Sequence, residues 1–449
     1  MKEIDANVIK ITSNDWDPEA ANLIKRNFAF NDIPESKTEV TAMDAIDLMW
    51  LKRKEKEYYD VIDLDPYGTA VPFLDSTIQA VENGGLLWIT FTDTAVLWGS
   101  KPHALFYRYG SVNTHKKNCH EFALRLVLHT IATTANRYQK QIIPLMSLTV
   151  DFYIRLFIKV VWKPIMWHES ILNTSLVFQW NSCQCFYLHS FGKTSDKSKK
   201  KRVKIGEEQE VEKDDVNMTE SQKQSIRDSK HNTKFTINNF SIPEKWDVWD
   251  SSFMIAGPIW SGEIHDSEFV NSLLESVKNW KHLKTHKRIK ETLQAIQLEM
   301  TIGNYPLSYD FDRLIWEIKW ESISRKAIFS AFKSLNYELV QTYYKPQLYK
   351  TNASPRAVYD IFKAWKQKKI EGTKRSLTSK WTGSALTILA KPIEFIPDFE
   401  YQPEEIDQIL KDSKIKYNSN PPNWGPGSRA KNKKASKKAD EKEEEKEDE

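Results

Sequence analysis

Along the first 160 residues, short apolar runs alternate with amphipathic stretches. A run at 8–13 ends in Asn14-Asp15, and Asp17-Pro18 opens a helix reaching to about Asn27, with Pro18 favoured in the first turn. A shorter run at 39–42 precedes Asp44-Ala45. The run at 61–64 ends in Asp65-Pro66-Tyr67-Gly68; a helix-like segment follows, then Gly84-Gly85, then a second apolar run at 86–91. This order predicts an α/β fold whose strands carry polar and aromatic residues at their carboxyl ends, the edge where open α/β sheets bind ligands. The stretch 116–137 reads as a helix with Phe122, Leu126 and His129 on one face and Arg125 and Arg137 reaching outward. Residues 148–162 have strand chemistry and predict a late hairpin of the same sheet. From Phe235 a second, α+β domain begins, with 257–260 as a strand ending in a turn and helices at 268–281, 288–300, 325–335 and 355–367.

The triplet Asp65-Pro66-Tyr67 suits methylation of an exocyclic amino group on a flat base. A carboxylate and a nearby carbonyl accept the amine's hydrogens, and an aromatic face stacks the base. On the triplet alone a plain Asp-Pro turn fits equally well.

The surrounding residues carry more. Asp63, Asp65, Pro66, Tyr67, Gly68, Pro72, Phe73, Gly84, Gly85, Thr90, Thr92, Asp93, Leu97 and Gly99 follow one another in an order that continues through Tyr109-Gly110-Ser111, Cys119-His120-Glu121, Arg125 and Asp151 to Arg155. Further pieces are Gly257-Pro258-Ile259-Trp260-Ser261-Gly262, Tyr305-Pro306-Leu307, Lys350-Thr351-Asn352-Ala353 and Pro422-Asn423-Trp424-Gly425-Pro426. Together they resemble the eukaryotic and archaeal tRNA (guanine-N2-)-dimethyltransferases. The resemblance implies a class I (Rossmann-like) methyltransferase sheet followed by an α+β C-terminal domain. It also implies S-adenosyl-L-methionine as cofactor and mono- then dimethylation of N2 of guanosine 26 in tRNA. Asp65 would accept the amine's hydrogen, Pro66 shape the turn and Tyr67 stack the base. Asp15, Asp44 and Ala45, matching the family's second and third cofactor motifs, would hold the cofactor's nucleoside. His120-Glu121 reads as a structural helix start rather than an acid/base pair. Two other classes stay open: a tRNA-binding homologue without catalysis, and an adenine-N6 methyltransferase, against which the 257–260, 350–353 and 422–426 segments speak.

The same resemblance places another strand and a glycine turn before Val8, in mid-sheet, with only seven residues there to supply them. The expectation is an N-terminally truncated sheet that is poorly soluble and does not bind the cofactor. The family's two Cys-x-x-Cys pairs fall in register on Trp180, Cys183, Trp246 and Trp249, so no zinc is expected and an aromatic cluster stands in its place.

Composition adds bounds. A chain of 449 residues with 40% hydrophobic content fills two cores, 16 Trp and 17 Tyr supply stacking surface, and a net charge of only +4 means that nucleic-acid affinity has to come from local patches. Three Cys and no signal peptide point to a reducing compartment. The most apolar stretches are cut by Asp93, Asp151 and Arg155, so no segment reads as membrane-spanning. The domains expected are 1–192 (methyltransferase), 193–236 (charged disordered linker), 237–429 (tRNA binding) and 430–449 (charged tail). Arg155, Lys345 and Lys350 are candidate RNA contacts, although Arg155 could equally face solvent. The basic run 199–204 is either a nuclear-import signal or a solvated cationic stretch; the nucleus is the expected compartment, with mitochondrion or cytoplasm as alternatives.

Overall fold

The computed structural model describes residues 10–114, 119–162, 170–181, 183–195, 234–239, 252–318, 322–371, 391–402 and 406–412. The chain divides into two compact units, Met1–Leu148 with Ile154–Asp266, and Thr149–Tyr153 with Ser267–Glu449.

The first unit begins with β1 (Ile11–Asp15), α1 (Pro18–Phe30), β2 (Thr38–Ala42), α2 (Ala45–Glu55), β3 (Tyr59–Leu64), α3 (Leu74–Ala80) and β4 (Val81–Phe91). It continues with α4 (Thr94–Leu97), α5 (Pro102–Tyr109), α6 (Cys119–Asn136), β5 (Lys140–Val150) and β6 (Tyr153–Trp162). Asp17 accepts a hydrogen bond from the backbone N–H of Glu19 at 2.9 Å and Asp44 one from Ile46 at 2.7 Å, so each acid caps the helix after its strand.

β1 and β2 pair in parallel, and β3-β4-β6-β5 form a second sheet with β3 and β4 parallel and β6 antiparallel to β4. Strand–helix–strand order with parallel neighbours is the α/β architecture expected. Every second residue of β4 (Leu87, Ile89, Phe91) and of β6 (Ile154, Leu156, Ile158, Val160) is fully buried, as are Phe122, Leu124, Leu126, Leu128 and Ile131 of α6. On the alternate face, Val61 of β3 is exposed and Trp88 and Phe157 are half-buried. Among the described residues β1 pairs only with β2 and β3 only with β4, and no described strand lies against either remaining edge, where the sequence placed one more. Gly85 is required where it stands: a Cβ there would lie 2.9 Å from the carbonyl oxygen of Asp60.

β7 (Thr174–Trp180), β8 (Phe186–Ser190) and β11 (Phe253–Trp260) form an antiparallel sheet in the order β11-β7-β8, and β9 (Gly192–Ser195) pairs with β10 (Lys234–Ile237). This moves the expected boundary. β11 belongs to the first unit because it pairs with β7, so the second unit's main segment starts at Ser267 rather than near 237. Both ends of the expected linker are strands, while 196–233 lies outside the described residues, as do 199–204 and the tail. Arg125 does not reach outward. Its Nε donates to Glu121 at 2.8 Å and its Nη1 donates to the carbonyls of Trp260 and Gly262 at 3.1 and 2.8 Å, fastening α6 to the end of β11.

The second unit contains α7 (Ser267–Ser276), α8 (His286–Met300), β12 (Tyr309–Asp310), α9 (Phe311–Glu317), α10 (Arg325–Ser334), β13 (Leu339–Gln341), β14 (Leu348–Thr351), α11 (Pro355–Glu371) and α12 (Ile406–Asp412). Its described strands run β12-β14-β13, antiparallel, so the unit is α+β. Phe311 stacks on Tyr349 with ring centres 4.5 Å apart, and Phe329, Phe332, Tyr359 and Phe362 complete an aromatic core.

Candidate active site

The Asp65-Pro66-Tyr67-Gly68 turn follows β3 at its carboxyl end. Tyr67 stands fully exposed and Asp65 is exposed beside it. The turn is nevertheless fixed. The Gly68 N–H donates to Thr92 Oγ1 at 2.7 Å, and the Thr92 N–H donates back to the Gly68 carbonyl at 2.8 Å. Gly68 sits at φ +81°, in the left-handed region where L side chains are strained. β4 therefore clamps the turn from one side.

A second fastening comes from Asp93, just past β4. Its carboxylate accepts the Tyr109 hydroxyl at 2.8 Å and an Arg108 N–H at 3.1 Å, and the Tyr109 oxygen lies 2.8 Å from Thr69 Oγ1, next to the turn. Because Tyr109 donates to Asp93, Thr69 donates to Tyr109. Burial first, then the Asp93 charge, pushes the Tyr109 phenol far above its ordinary range and keeps it neutral. Asp93, Thr92 and Tyr109 are visible in the sequence only as members of the resembling motifs; their joint role depends on contacts between residues 15 to 40 positions apart.

Asp15 stands at the carboxyl end of β1, where its Oδ1 accepts the Asp17 N–H at 2.9 Å. The Asn14 amide donates to the Met43 carbonyl at 3.0 Å and Thr41 Oγ1 donates to Asn14 Oδ1 at 2.7 Å, locking the ends of β1 and β2 together. Asp44 and Ala45 open α2. Thus the nucleoside candidates sit at the ends of one parallel pair, and the base-binding candidates at the end of another.

The RNA candidates fare differently. Arg155 Nη2 donates to Asp63 at 2.9 Å and Nη1 to Thr90 at 2.6 Å, a bridge across β6, β4 and β3 that ties its guanidinium to the sheet. Lys350 is a core residue: it is 5% exposed and its ammonium lies 2.8 Å from Glu299. It is no surface cation, nor are the buried Lys363 and Lys366. Lys345 is partly exposed on the turn between β13 and β14. Lys281, Lys284, Lys287 and Lys290 are exposed and gathered in ten residues around the start of α8.

Trp180 packs edge-on against Tyr187 at 5.1 Å and near Phe253 at 6.1 Å, with Cys183 and Cys185 buried close by; Trp246 and Trp249 lie outside the described residues. Among the described residues no group of three or more His, Cys, Asp or Glu is placed to hold a metal ion, and no helix is long and apolar enough to cross a membrane.

Parallel strands with acids at their carboxyl ends, joined by helices and closed by an antiparallel β5/β6 hairpin, define the α/β methyltransferase class. The fold is similar to that of Trm1 from Pyrococcus horikoshii, solved with S-adenosyl-L-methionine, at a TM-score of 0.59 and 22% identity over 79% of this chain and 81% of that one. The chain belongs to the N2,N2-dimethylguanosine tRNA methyltransferase family, whose model matches residues 1–363. It is 33% identical over 95% of its length to the Drosophila melanogaster tRNA (guanine(26)-N(2))-dimethyltransferase, covering 69% of that protein. It is 30% identical over 94% of its length to the Homo sapiens enzyme of the same name, covering 59%. The chain thus spans between about three fifths and seven tenths of the length of these relatives.

Proposed function

We propose that this protein methylates the exocyclic N2 of a guanosine in tRNA, position 26 by analogy with its relatives' names, with S-adenosyl-L-methionine as the methyl donor. The observation that carries the reading is the pairing of an exposed Asp65 and a fully exposed Tyr67 on a turn held rigid by Thr92. A base can stack on Tyr67, and its amine then meets the Asp65 carboxylate. Asp65 accepts a hydrogen bond that strengthens as positive charge develops on the nitrogen. Pro66 and the Gly68–Thr92 clamp hold the acceptor still, so that catalysis is largely positioning. The donor set also suits the cofactor in kind: Asp15 offers a carboxylate to a pair of ribose hydroxyls, and Asp44-Ala45 presents a small residue at a capped helix start. When bound, S-adenosyl-L-methionine supplies an electrophilic methyl group, so neither a metal nor a covalent enzyme intermediate is required. Lys281, Lys284, Lys287 and Lys345 contact tRNA phosphates. Nuclear import through 199–204 belongs to the same reading; a Saccharomyces cerevisiae relative, 28% identical, is named as mitochondrial.

The test is nucleoside analysis of tRNA methylated by the protein and by Asp65→Ala. The variant should bind tRNA nearly as tightly as the parent and transfer methyl at least roughly a hundredfold more slowly. Methylation at the parental rate removes Asp65 from the chemistry, and methyl appearing on adenine instead of guanine N2 overturns the substrate assignment.

A further inference from the structure

We propose that α5 is a stacking surface for the RNA strand flanking the methylated base, with Phe106 and Tyr107 receiving nucleotides next to the target. This rests on the function proposed above and adds a second contact site to it.

The helix is amphipathic in an unusual sense. Ala104, Leu105 and Tyr109 face the core, while His103, Phe106 and Tyr107, at helical spacing, face outward. Phe106 is 61% and Tyr107 69% exposed, so the outward face shows two large rings where a surface helix ordinarily carries charge. The chemistry around the rings is one-sided. Exposed Lys101 and His103 lie at the helix start, and no Asp or Glu occurs between Thr94 and Thr114. The Arg108 guanidinium lies 5.6 Å from the Tyr107 ring centre, and its Nε donates to the Tyr107 hydroxyl at 3.1 Å. Exposed aromatic faces beside Lys101 and His103, with the one nearby carboxylate, Asp93, buried and held by Arg108 and Tyr109, match a polynucleotide, whose bases stack and whose phosphates repel exposed acids.

Position adds the second argument. Arg108 and Tyr109 both bind Asp93, and Tyr109 reaches Thr69 beside the Asp65–Gly68 turn. The rings are therefore rigidly coupled to the base-binding turn. A guanine amine reaches Asp65 only if the base leaves its stack, and that exposes the faces of its neighbours. Phe106 and Tyr107 offer those neighbours a replacement surface. Stacking is sequence-tolerant, so the surface would serve tRNAs that differ around the target.

The experiment uses the whole protein and a tRNA carrying 2-aminopurine next to the target guanosine. The double variant Phe106→Ser/Tyr107→Ser should keep the parental melting temperature, since both side chains are exposed. Its tRNA affinity and kcat/KM should each fall about tenfold or more, the scale of a lost base–aromatic stack. Quenching of the 2-aminopurine on binding should disappear, and Lys101→Glu should weaken binding further at low salt. An affinity within twofold of the parent with quenching intact overturns the proposal. So does a change confined to self-association, which would assign the face to a second copy. If Asp65→Ala has abolished methylation in the same tRNA, such a result sinks the α5 site alone. A parent protein that neither binds nor methylates tRNA takes both readings down.

Discussion

Tyr109 is where a single atom positions the candidate active site without touching a substrate. Its hydroxyl donates to Asp93 and accepts from Thr69, and so joins the far side of the turn to α5. Tyr109→Phe keeps the ring packing and removes both bonds. The expected outcome is a kcat lowered about tenfold and a tRNA dissociation constant within twofold of the parent, beside the modest drop in melting temperature that the two lost bonds bring; a purely structural role would shift the melting temperature and leave kcat alone. His129 gives a pH prediction. Burial pushes its imidazole down to about 4, well below the ordinary value near 6.5. Between those values the unfolded chain binds a proton that the native one refuses, so stability falls as pH drops through that window, by about 3 kcal/mol at pH 4. Urea unfolding of the protein and of His129→Leu at pH 7 and pH 4.5 should show the steeper loss in the parent. At this scale the sequence was legible where a residue's role is local. Asp65 and Tyr67 at a strand end, and Asp44 ahead of a helix, announce themselves. Lys350 did not, because its partner Glu299 lies 51 positions away and a basic residue near tyrosines reads as a surface cation until burial is known.

Among the elements, α6 illustrates what spacing does and does not reveal. Glu121 and Arg125 are four apart, a helical ion-pair spacing readable from the sequence. What turns the pair from solvent to core is the carbonyl pair of Trp260 and Gly262, brought by β11 from 135 and 137 residues on. Removing one member of such a buried pair leaves a charge and two carbonyls without partners. Arg125→Ala should cost about 3–5 kcal/mol. Chemical unfolding checks the value, and a loss under 1 kcal/mol would mean that water replaces the guanidinium. β3 and the last part of β4 were readable from their apolar runs, whereas Gly84-Gly85, read as a break ahead of the strand, lies within β4. β5 was recognised only in its last residues, because Lys140, Gln141 and Pro144 interrupt its apolar pattern. The allocation of β11 was not readable at all, since its ladder with β7 spans a long charged segment.

For the molecule as a whole, the question is where affinity for a polyanion comes from when formal charge is only +4. A global field of that size steers little, so the cations must be concentrated. In the second unit several lysines are withdrawn into the interior. Lys350 lies on Glu299, Lys366 donates to the Ile318 carbonyl at 2.6 Å, and Lys363 donates to the Lys391 carbonyl at 2.9 Å. Burial also pushes Lys366 down to about 8, which leaves its burial as what withdraws it from phosphates. That leaves the 281–290 segment, with Lys281, Lys284, Lys287 and Lys290 exposed, as the densest cationic stretch among the described residues of this unit. Each phosphate neutralised releases condensed counterions, so the slope of log affinity against log salt counts the contacts. Reversing three of these charges together, Lys281→Glu, Lys284→Glu and Lys287→Glu, should reduce that slope by about three for structured RNA and weaken tRNA binding mainly at low salt. Lys350→Met should leave the slope untouched while lowering the melting temperature, because Glu299 loses its buried partner. An unchanged slope in the triple variant, or a reduced slope in Lys350→Met, would move the phosphate contacts away from α8 and back toward the interior lysines.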